Sequence, residues 1–487
     1  MRPIEVPLVI VSALVVVGML FLRGRRPAWL KLLAIAAAVL FLAHAFFEGI
    51  HWQLFPEYLA LVLFLFALFK PTERRVMALG WICAALLLVS GAFCYTIPMF
   101  HLPKPVGPYP IGTRTVHLID PSRQETHPHS RPGNREVVLQ FWYPSATATG
   151  RHAMYREFKE TKLRSTYQAV LPVDALQDSA IANRTFPVIF FNPAWNGFRN
   201  RSTFITQNLA SLGFIVVGIS HPYNSAFTEL SDGYVAQSKD EPDLGEYSKA
   251  EPLSERLNLA KSELAVQLAD DEFVLEQLTK LNETPDSPFY HHLEMDNVGA
   301  FGHSFGGSVS VELALKDPRV KCALEMDGSL YGQAEATGMP KPLMTIHHPE
   351  GALPPNAANS PDESIRVWAD MRQRVAAAFA QTFSRYGGYA VNIDGIDHES
   401  YTDKGFFSPI RRLTGIGSMR QTEAAPIING YVAAFFLQYL AHKPQPLLSG
   451  AIPPLPHATL TIWPGPAIQS GNQSGDPTAA NATQPTP

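Results

Sequence analysis

The run Gly302-His303-Ser304-Phe305-Gly306-Gly307 sets a serine among residues that leave it room to act as a nucleophile. It follows the strand-like segment Asn297-Val298-Gly299-Ala300-Phe301. It precedes a helix-like one that passes through Ser308, Val311 and Leu315 and stops at Asp317-Pro318. A sharp strand-to-helix turn forces its central residue into a strained backbone conformation and excludes side chains beside it, which is the steric reason for the glycines. A bystander serine in a tight glycine turn is the plainer reading, and the flanking segments argue against it. A serine hydroxyl is a poor nucleophile at neutral pH. It needs a histidine to take its proton, and an acid to fix the tautomer of that histidine and stabilise the imidazolium.

Both partners are available downstream. Asp327 directly follows the apolar run Val320–Met326 and precedes Gly328; His398 lies in Gly395-Ile396-Asp397-His398-Glu399-Ser400, after a strand-like run from Tyr389 to Ile393. Groups at the carboxyl ends of parallel strands collect at one sheet edge, so Ser304, Asp327 and His398 can converge there. Each choice has a rival. Asp327 could be a turn aspartate before glycine. Asp394 and Asp397 compete as the acid but lie awkwardly close in sequence to His398, and Glu325 is a weaker alternative by strand alternation. His347 and His348 also follow a strand and compete as the base. For an oxyanion hole, the Phe305 N–H after the serine needs a second donor from the loop Asn192-Pro193-Ala194-Trp195-Asn196-Gly197-Phe198-Arg199. Pro193 has no N–H, which leaves Trp195, with Ala194 as the alternative.

The elements that must position these residues alternate strand and helix. Extended runs at 113–119 and 136–143 read as an entry hairpin or antiparallel edge. Pro187-Val188-Ile189-Phe190-Phe191 and Phe214–Ile219 read as buried strands with a helix over 201–212 between them. A polar segment from Asn224 to Pro252 breaks the rhythm before a long helix through Leu264, Leu268, Leu275 and Leu278. Strands at 320–326, 342–346 and 389–393 follow, with a helix over 365–383. Short all-apolar strands alternating with helices imply a parallel sheet covered on both faces, an α/β domain over 113–443. The apolar helix over 427–440 is short for a bilayer and interrupted by Asn429, Gly430 and Gln438, so it is expected to pack on the sheet. Residues 444–487 are dominated by proline, serine, glycine, asparagine and threonine, and read as a disordered tail.

Before residue 100 the chain is a different solvent problem. Apolar runs at 6–22, 28–47, 54–69 and 76–95 are each near the length needed to cross a hydrocarbon core of about 30 Å, and four successive runs exclude a simple cleaved signal. The expectation is a four-helix transmembrane segment over 1–100 and a proline-rich juxtamembrane linker over 101–112. Arg23, Arg25, Arg26 and Lys31 lie between the first two runs, and Lys70, Arg74 and Arg75 between the last two; the segment from Glu48 to Glu57 has no lysine or arginine. The positive-inside rule puts the basic loops in the cytoplasm, and the amino terminus and the domain after the fourth run outside. Trp29, Trp52 and Trp81 near the run ends suit interfacial anchoring.

A formal net charge of −4 gives no reason to expect nucleic acid as a partner. With Cys83 and Cys94 in the fourth apolar run and Cys322 alone in the outer domain, no disulfide framework is available there. The histidine pairs His127/His129, His291/His292 and His347/His348 lack the helical spacing and nearby acid of a zinc hydrolase, so neither a metal nor another cofactor is read from the sequence.

Taken together, Gly302–Gly307, Asp327-Gly328 after an apolar strand, the loop ending Gly197-Phe198-Arg199, and Leu209-Ala210-Ser211-Leu212-Gly213-Phe214-Ile215-Val216 resemble the plasma and type II intracellular platelet-activating factor acetylhydrolases and their bacterial relatives, within the α/β-hydrolase superfamily. The separation of Ser304 from Asp327 fits that pattern. The resemblance covers roughly residues 113–440. It implies an α/β-hydrolase fold, with Ser304 as nucleophile, Asp327 as acid, His398 as base and the Phe305 N–H in the hole. It also implies calcium-independent hydrolysis of short or oxidised acyl chains at the sn-2 position of phospholipids. The chain departs from the family at Asn192-Pro193, where His-Gly is usual, and in the segment from Asn224 to Pro252. The implied protein is a membrane-anchored, extracytoplasmic serine ester hydrolase acting on lipid or small ester substrates. A general short-chain carboxylesterase or polyester hydrolase is the alternative within the class. A catalytically silent, membrane-binding or sensing domain is the alternative outside it.

Overall fold

The apolar runs of the amino-terminal region become four helices: α1 (Glu5–Phe21), α2 (Ala28–Phe47), α3 (Phe55–Phe69) and α4 (Glu73–Thr96). The computed structural model describes residues 2–22, 25, 27–69, 72–238, 253–349 and 353–472. Of the expected basic loop residues, Arg23, Arg26 and Lys70 lie outside the described residues, as do residues 239–252 of the polar segment and the tail beyond 472.

The helices belong to a compact unit formed by Met1–His101, Met154–Val173 and Lys404–Thr414. Leu8, Val15, Met19, Leu30, Ala34, Ala37, Phe64, Ala67 and Val76 pack inside the bundle. Small residues let the helices approach closely: a Cβ on Gly18 would meet Leu30 Cδ1 at 2.6 Å. The outer faces are apolar too, with Ile10, Leu14, Leu32, Val39, Leu42, Val62, Phe66, Trp81 and Leu88 exposed. A helix that is apolar all round is not built for water. Length divides the four. Ala28–Phe47 and Arg74–Thr96 are long and apolar enough to cross a membrane, whereas Glu5–Phe21 and Trp52–Ala67 are apolar but shorter. At 17 and 15 residues, α1 and α3 span about 25 Å and about 22 Å, short of the hydrocarbon thickness. Four helices therefore exist where four runs were read, and two of them have spanning length. Trp29 and Trp81 are exposed, while Trp52 is half-buried and donates its indole N–H to the Arg164 carbonyl at 3.1 Å.

The second unit comprises Leu102–Ala153, Asp174–Asp403 and Gly415 onward. The strands are β1 (Ile111–Gln124), β2 (Asn134–Pro144), β3 (His152–Met154), β4 (Pro172–Gln177), β5 (Phe186–Asn192), β6 (Ile215–Ser220), β7 (Phe227–Glu229), β8 (Val235–Gln237), β9 (Leu293–His303), β10 (Val320–Met326), β11 (Leu343–His347), β12 (Gly388–Ile393) and β13 (Ala458–Trp463). Among the described residues, eleven of them form one sheet in the order β13-β12-β11-β10-β9-β5-β6-β2-β1-β4-β3, and β7 and β8 form a separate hairpin. From β6 to β12 the neighbours are parallel. The entry hairpin β1–β2 is antiparallel, with Thr113 opposite Trp142, and β2 runs antiparallel to β6.

Helix α5 (Thr203–Ser211), helix α6 (Leu253–Glu283) and helix α7 (Phe305–Lys316) connect the central strands. Val188, Phe190, Val217 and Ala300 pack with Val274, Leu275 and Leu278 of α6 and with Val311 and Leu313 of α7. Elsewhere in the core Phe191 stacks on Phe301, ring centroids 4.9 Å apart, and Phe436 meets Phe301 edge-on at 5.9 Å. Each such side chain, fully buried, contributes about 1.5–3 kcal/mol. The helix Gln421–Tyr439, which starts ahead of the expected 427–440 run, packs on the sheet. The polar residues that interrupted its pattern have partners there: Asn429 donates to the Phe204 carbonyl and Gln438 to the Tyr389 hydroxyl.

One expected boundary is wrong. The domain does not end at residue 443, because Ala458–Trp463 returns to the sheet as β13, antiparallel to β12 with Val391 opposite Leu460. Thr459, Thr461 and Ile462 are β-branched, a strand signal hidden by the surrounding prolines.

Candidate active site

Ser304 sits between β9 and α7 at φ 55° and ψ −122°, a conformation few non-glycine residues adopt. The turn is tight enough that a Cβ on Gly306 would fall 2.1 Å from the Asn192 carbonyl oxygen, and one on Gly302 2.1 Å from Gly306. The Ser304 N–H donates to the Met326 carbonyl at 2.7 Å, which ties the elbow to the end of β10.

Asp327 is the next residue, and it too has positive φ, 56°. Its carboxylate reaches two imidazoles. Oδ2 lies 2.6 Å from Nδ1 of His398, and Oδ1 lies 2.7 Å from Nδ1 of His348. Burial alone would raise the Asp327 pKa; hydrogen bonds from His348 and His398 overturn that and hold it well below the usual carboxylate range. For His398 burial pulls the pKa down, but the hydrogen bond and charge of Asp327 win, so it stands above the ordinary histidine value. The main chain of His398 is also tethered beside the elbow. Nε2 of His303 donates to the His398 carbonyl at 2.8 Å, and the two rings are 4.6 Å apart. Burial, with the neighbouring His398 second, pushes His303 down to about 3, so it stays neutral and serves as a fixed donor.

The rivals occupy other roles. Asp397 accepts from the His398 N–H and caps the short helix His398–Tyr401. Asp394 is exposed, with its N–H on the His457 carbonyl. Glu325 is fully buried and pairs with His347, whose Nε2 is 2.6 Å from Oε2. His348, the rival base, lies on the same carboxylate as His398. This shared contact was invisible in the sequence, because nothing in the spacing of 327, 348 and 398 says that two histidines reach one acid.

The expected oxyanion loop follows β5. Its Ala194 carbonyl accepts from the Gly197 N–H at 2.7 Å, closing a turn in which Asn196 is left-handed at φ 56°. The Trp195 ring meets Phe305 edge-on at 5.1 Å, so the loop lies against the residue after the serine. The departure at Asn192 has a structural partner: Nδ2 donates to Asp271 at 2.7 Å and to Ser310 Oγ at 3.2 Å, wholly buried. Burial raises Asp271 well above the ordinary carboxylate value despite the Asn192 hydrogen bond, which favours its neutral form. The pair fixes the start of the loop from below, and sequence reading missed Asp271 because it lies mid-helix in α6. Trp195 and Phe305 also join Leu264 and Val309 in an apolar cluster with Tyr331 packed on it.

The class is an α/β fold built on a large, mostly parallel sheet, with a strained serine between strand and helix and an aspartate–histidine pair at the same carboxyl edge. The model of the family described as "Platelet-activating factor acetylhydrolase, isoform II" matches residues 98–441, and the chain belongs to that family. It is an ester hydrolase of that kind. A probable 1-alkyl-2-acetylglycerophosphocholine esterase of Arthroderma benhamiae is 25% identical over 407 residues, covering 76% of this chain and 95% of that protein. The platelet-activating factor acetylhydrolase of Canis lupus familiaris is 26% identical over 247 residues, 43% of this chain and 52% of its own length. Among solved structures, the ferulic acid esterase from Streptomyces cinnamoneus shares the fold, with a TM-score of 0.56, 24% identity, and coverage of 75% of this chain and 99% of that one.

Proposed function

We propose that the chain is a membrane-anchored serine hydrolase that cleaves short or oxidised sn-2 acyl esters of phospholipids outside the cytoplasm. The observation that carries the catalytic part is the Asp327–His398 hydrogen bond of 2.6 Å, at the sheet edge that also bears Ser304. Ser304 Oγ attacks the ester carbonyl while His398 takes its proton, and Asp327 stabilises the imidazolium. The carbonyl oxygen becomes an oxyanion held by the Phe305 N–H and by that of Trp195, or of Ala194 in its place. Collapse breaks the ester C–O bond; His398 protonates the leaving lysophospholipid alkoxide and an acyl-serine remains. His398 then deprotonates a water, which attacks the acyl-serine, releases the acid and restores Ser304.

The substrate class rests on the family and on the relatives' names, and the apolar cluster around Trp195, Phe305 and Tyr331 suits an acyl group beside the nucleophile. The anchor rests on the four apolar helices with apolar outer faces. α1 and α3 are read as spans that tolerate their shortness by local thinning of the bilayer. The orientation rests on the basic loops. Anchoring raises the local concentration of lipid at the site without any added affinity.

The test is hydrolysis of phosphatidylcholines graded in sn-2 chain length by the full chain in detergent, with Ser304→Ala in parallel. Preference for acetyl and oxidised short chains, lost in the variant, is the expected result. Turnover confined to soluble monoesters would replace the substrate class, and absence of Ser304-dependent turnover on any ester would end the proposal.

A further inference from the structure

One end of the four-helix unit gathers polar groups that ester hydrolysis does not use. Glu5 in the first turn of α1, His44 in the last turn of α2 and His51 in the loop before Trp52–Leu54 are 1%, 0% and 3% exposed. One carboxylate oxygen and one nitrogen from each ring lie within 4.8 Å of one another.

The neighbours of His51 set its tautomer. Gln53 donates through Nε2 to the Ile97 carbonyl at 3.1 Å, which fixes its amide and turns Oε1 toward Nδ1 of His51, 2.9 Å away. Nδ1 must therefore carry a hydrogen. In the neutral ring Nε2 is then a bare lone pair, and it lies 2.9 Å from Glu5 Oε1. Two acceptors do not rest at that distance without a cation between them, either a proton or a metal ion. His44 is oriented in the same manner. Its Nδ1 is 3.0 Å from Glu48 Oε2, whose partner oxygen accepts from the Ile4 N–H at 2.8 Å. Its Nε2 lies 2.7 Å from the Tyr58 hydroxyl. Both rings thus have one nitrogen held by an outer acceptor, the arrangement that orients histidine ligands in metal sites, and an ion on His44 Nε2 would take the place of the Tyr58 hydroxyl. Arg2 also reaches Glu5, through Nε at 2.6 Å and its backbone N–H at 2.9 Å.

We infer that Glu5, His44 and His51 bind a divalent transition-metal cation, with zinc the ion their chemistry fits best. Two imidazoles and one carboxylate are a zinc ligand set, whereas magnesium and calcium take oxygen. A tetrahedral ion keeps one position for water. It joins the start of α1, the end of α2 and the loop that opens α3, so its role is to clamp the bundle, apart from the ester site.

The full chain, purified in detergent, stripped with chelator and dialysed against zinc chloride, is assayed for bound zinc by mass spectrometry beside Glu5→Gln and His51→Gln. Labelling of Ser304 by a fluorophosphonate checks that each variant is folded. The expected result is one zinc per parent chain, loss of that zinc in both variants, and a zinc-dependent rise in Tm in the parent alone. X-ray absorption at the zinc edge of the parent gives a readout independent of variant folding, and should show imidazole scattering from two rings and an oxygen shell. Zinc retained in both folded variants, no zinc in the parent, or an edge spectrum without imidazole would overturn the inference and leave a proton-bridged Glu5–His51 pair.

Discussion

At the residue scale the central question is which histidine serves Ser304, since Asp327 holds both His398 and His348. The proposed mechanism takes His398, whose main-chain carbonyl is tethered by His303, as the base. His398→Ala should lower kcat by a factor on the order of 10⁴ to 10⁶, as Ser304→Ala should, while His348→Ala should keep most of the rate. Comparable losses in both histidine variants would make the pair act together. The base works only when neutral, and the histidine pKa is raised by Asp327. The acid limb of kcat/KM should therefore fall off at a pH above the ordinary histidine value of about 6.5. Asp327→Asn removes that support: the residual activity, down about 10⁴-fold, should show its acid limb shifted to lower pH. An unmoved limb would mean that another group titrates. Ser304, Asp327 and His398 were legible as candidates because an elbow and strand ends leave local marks. His348 and Asp271 were not, because their roles exist only once the sheet is assembled.

At the element scale, β5 and α6 hold the start of the loop after β5, the proposed oxyanion loop, through Asn192 and Asp271. The raised pKa of Asp271 means that the folded state binds a proton which the unfolded chain releases above about 3.9. Its contribution is therefore fully present below that pH and is lost progressively as pH rises toward the folded value. Asp271→Asn cannot titrate and keeps an acceptor for Asn192 Nδ2. The variant should gain stability relative to the parent as pH rises from 5 to 8, read as a growing difference in urea midpoint. A constant difference across that range would refute the buried neutral acid. The central strands were legible because all-apolar runs mean a sheet buried on both faces. The three-residue strands β3, β7 and β8 were not, being too brief to carry a periodicity.

At the scale of the whole molecule, topology is the prediction most open to direct test. A phosphatase reporter fused after Asn472, beyond the last described helix, should be active outside the cytoplasm; a reporter active only inside would reverse the orientation. Fusion at 443, the boundary that composition suggested, would separate β13 from its sheet. The tail was misread there because composition averages over proline-rich flanks and hides a six-residue strand.

That strand has a further consequence. β12 is parallel to β11 on one side and bonded to β13 on the other. A protein cut at residue 441, where the family match ends, would leave β12 with a row of open amide and carbonyl groups. Such a naked border accepts strands from neighbouring chains. A recombinant piece trimmed to the family limits should therefore self-associate by edge-to-edge pairing, however intact its ester site, and extension through Trp463 should return it to a non-aggregating form.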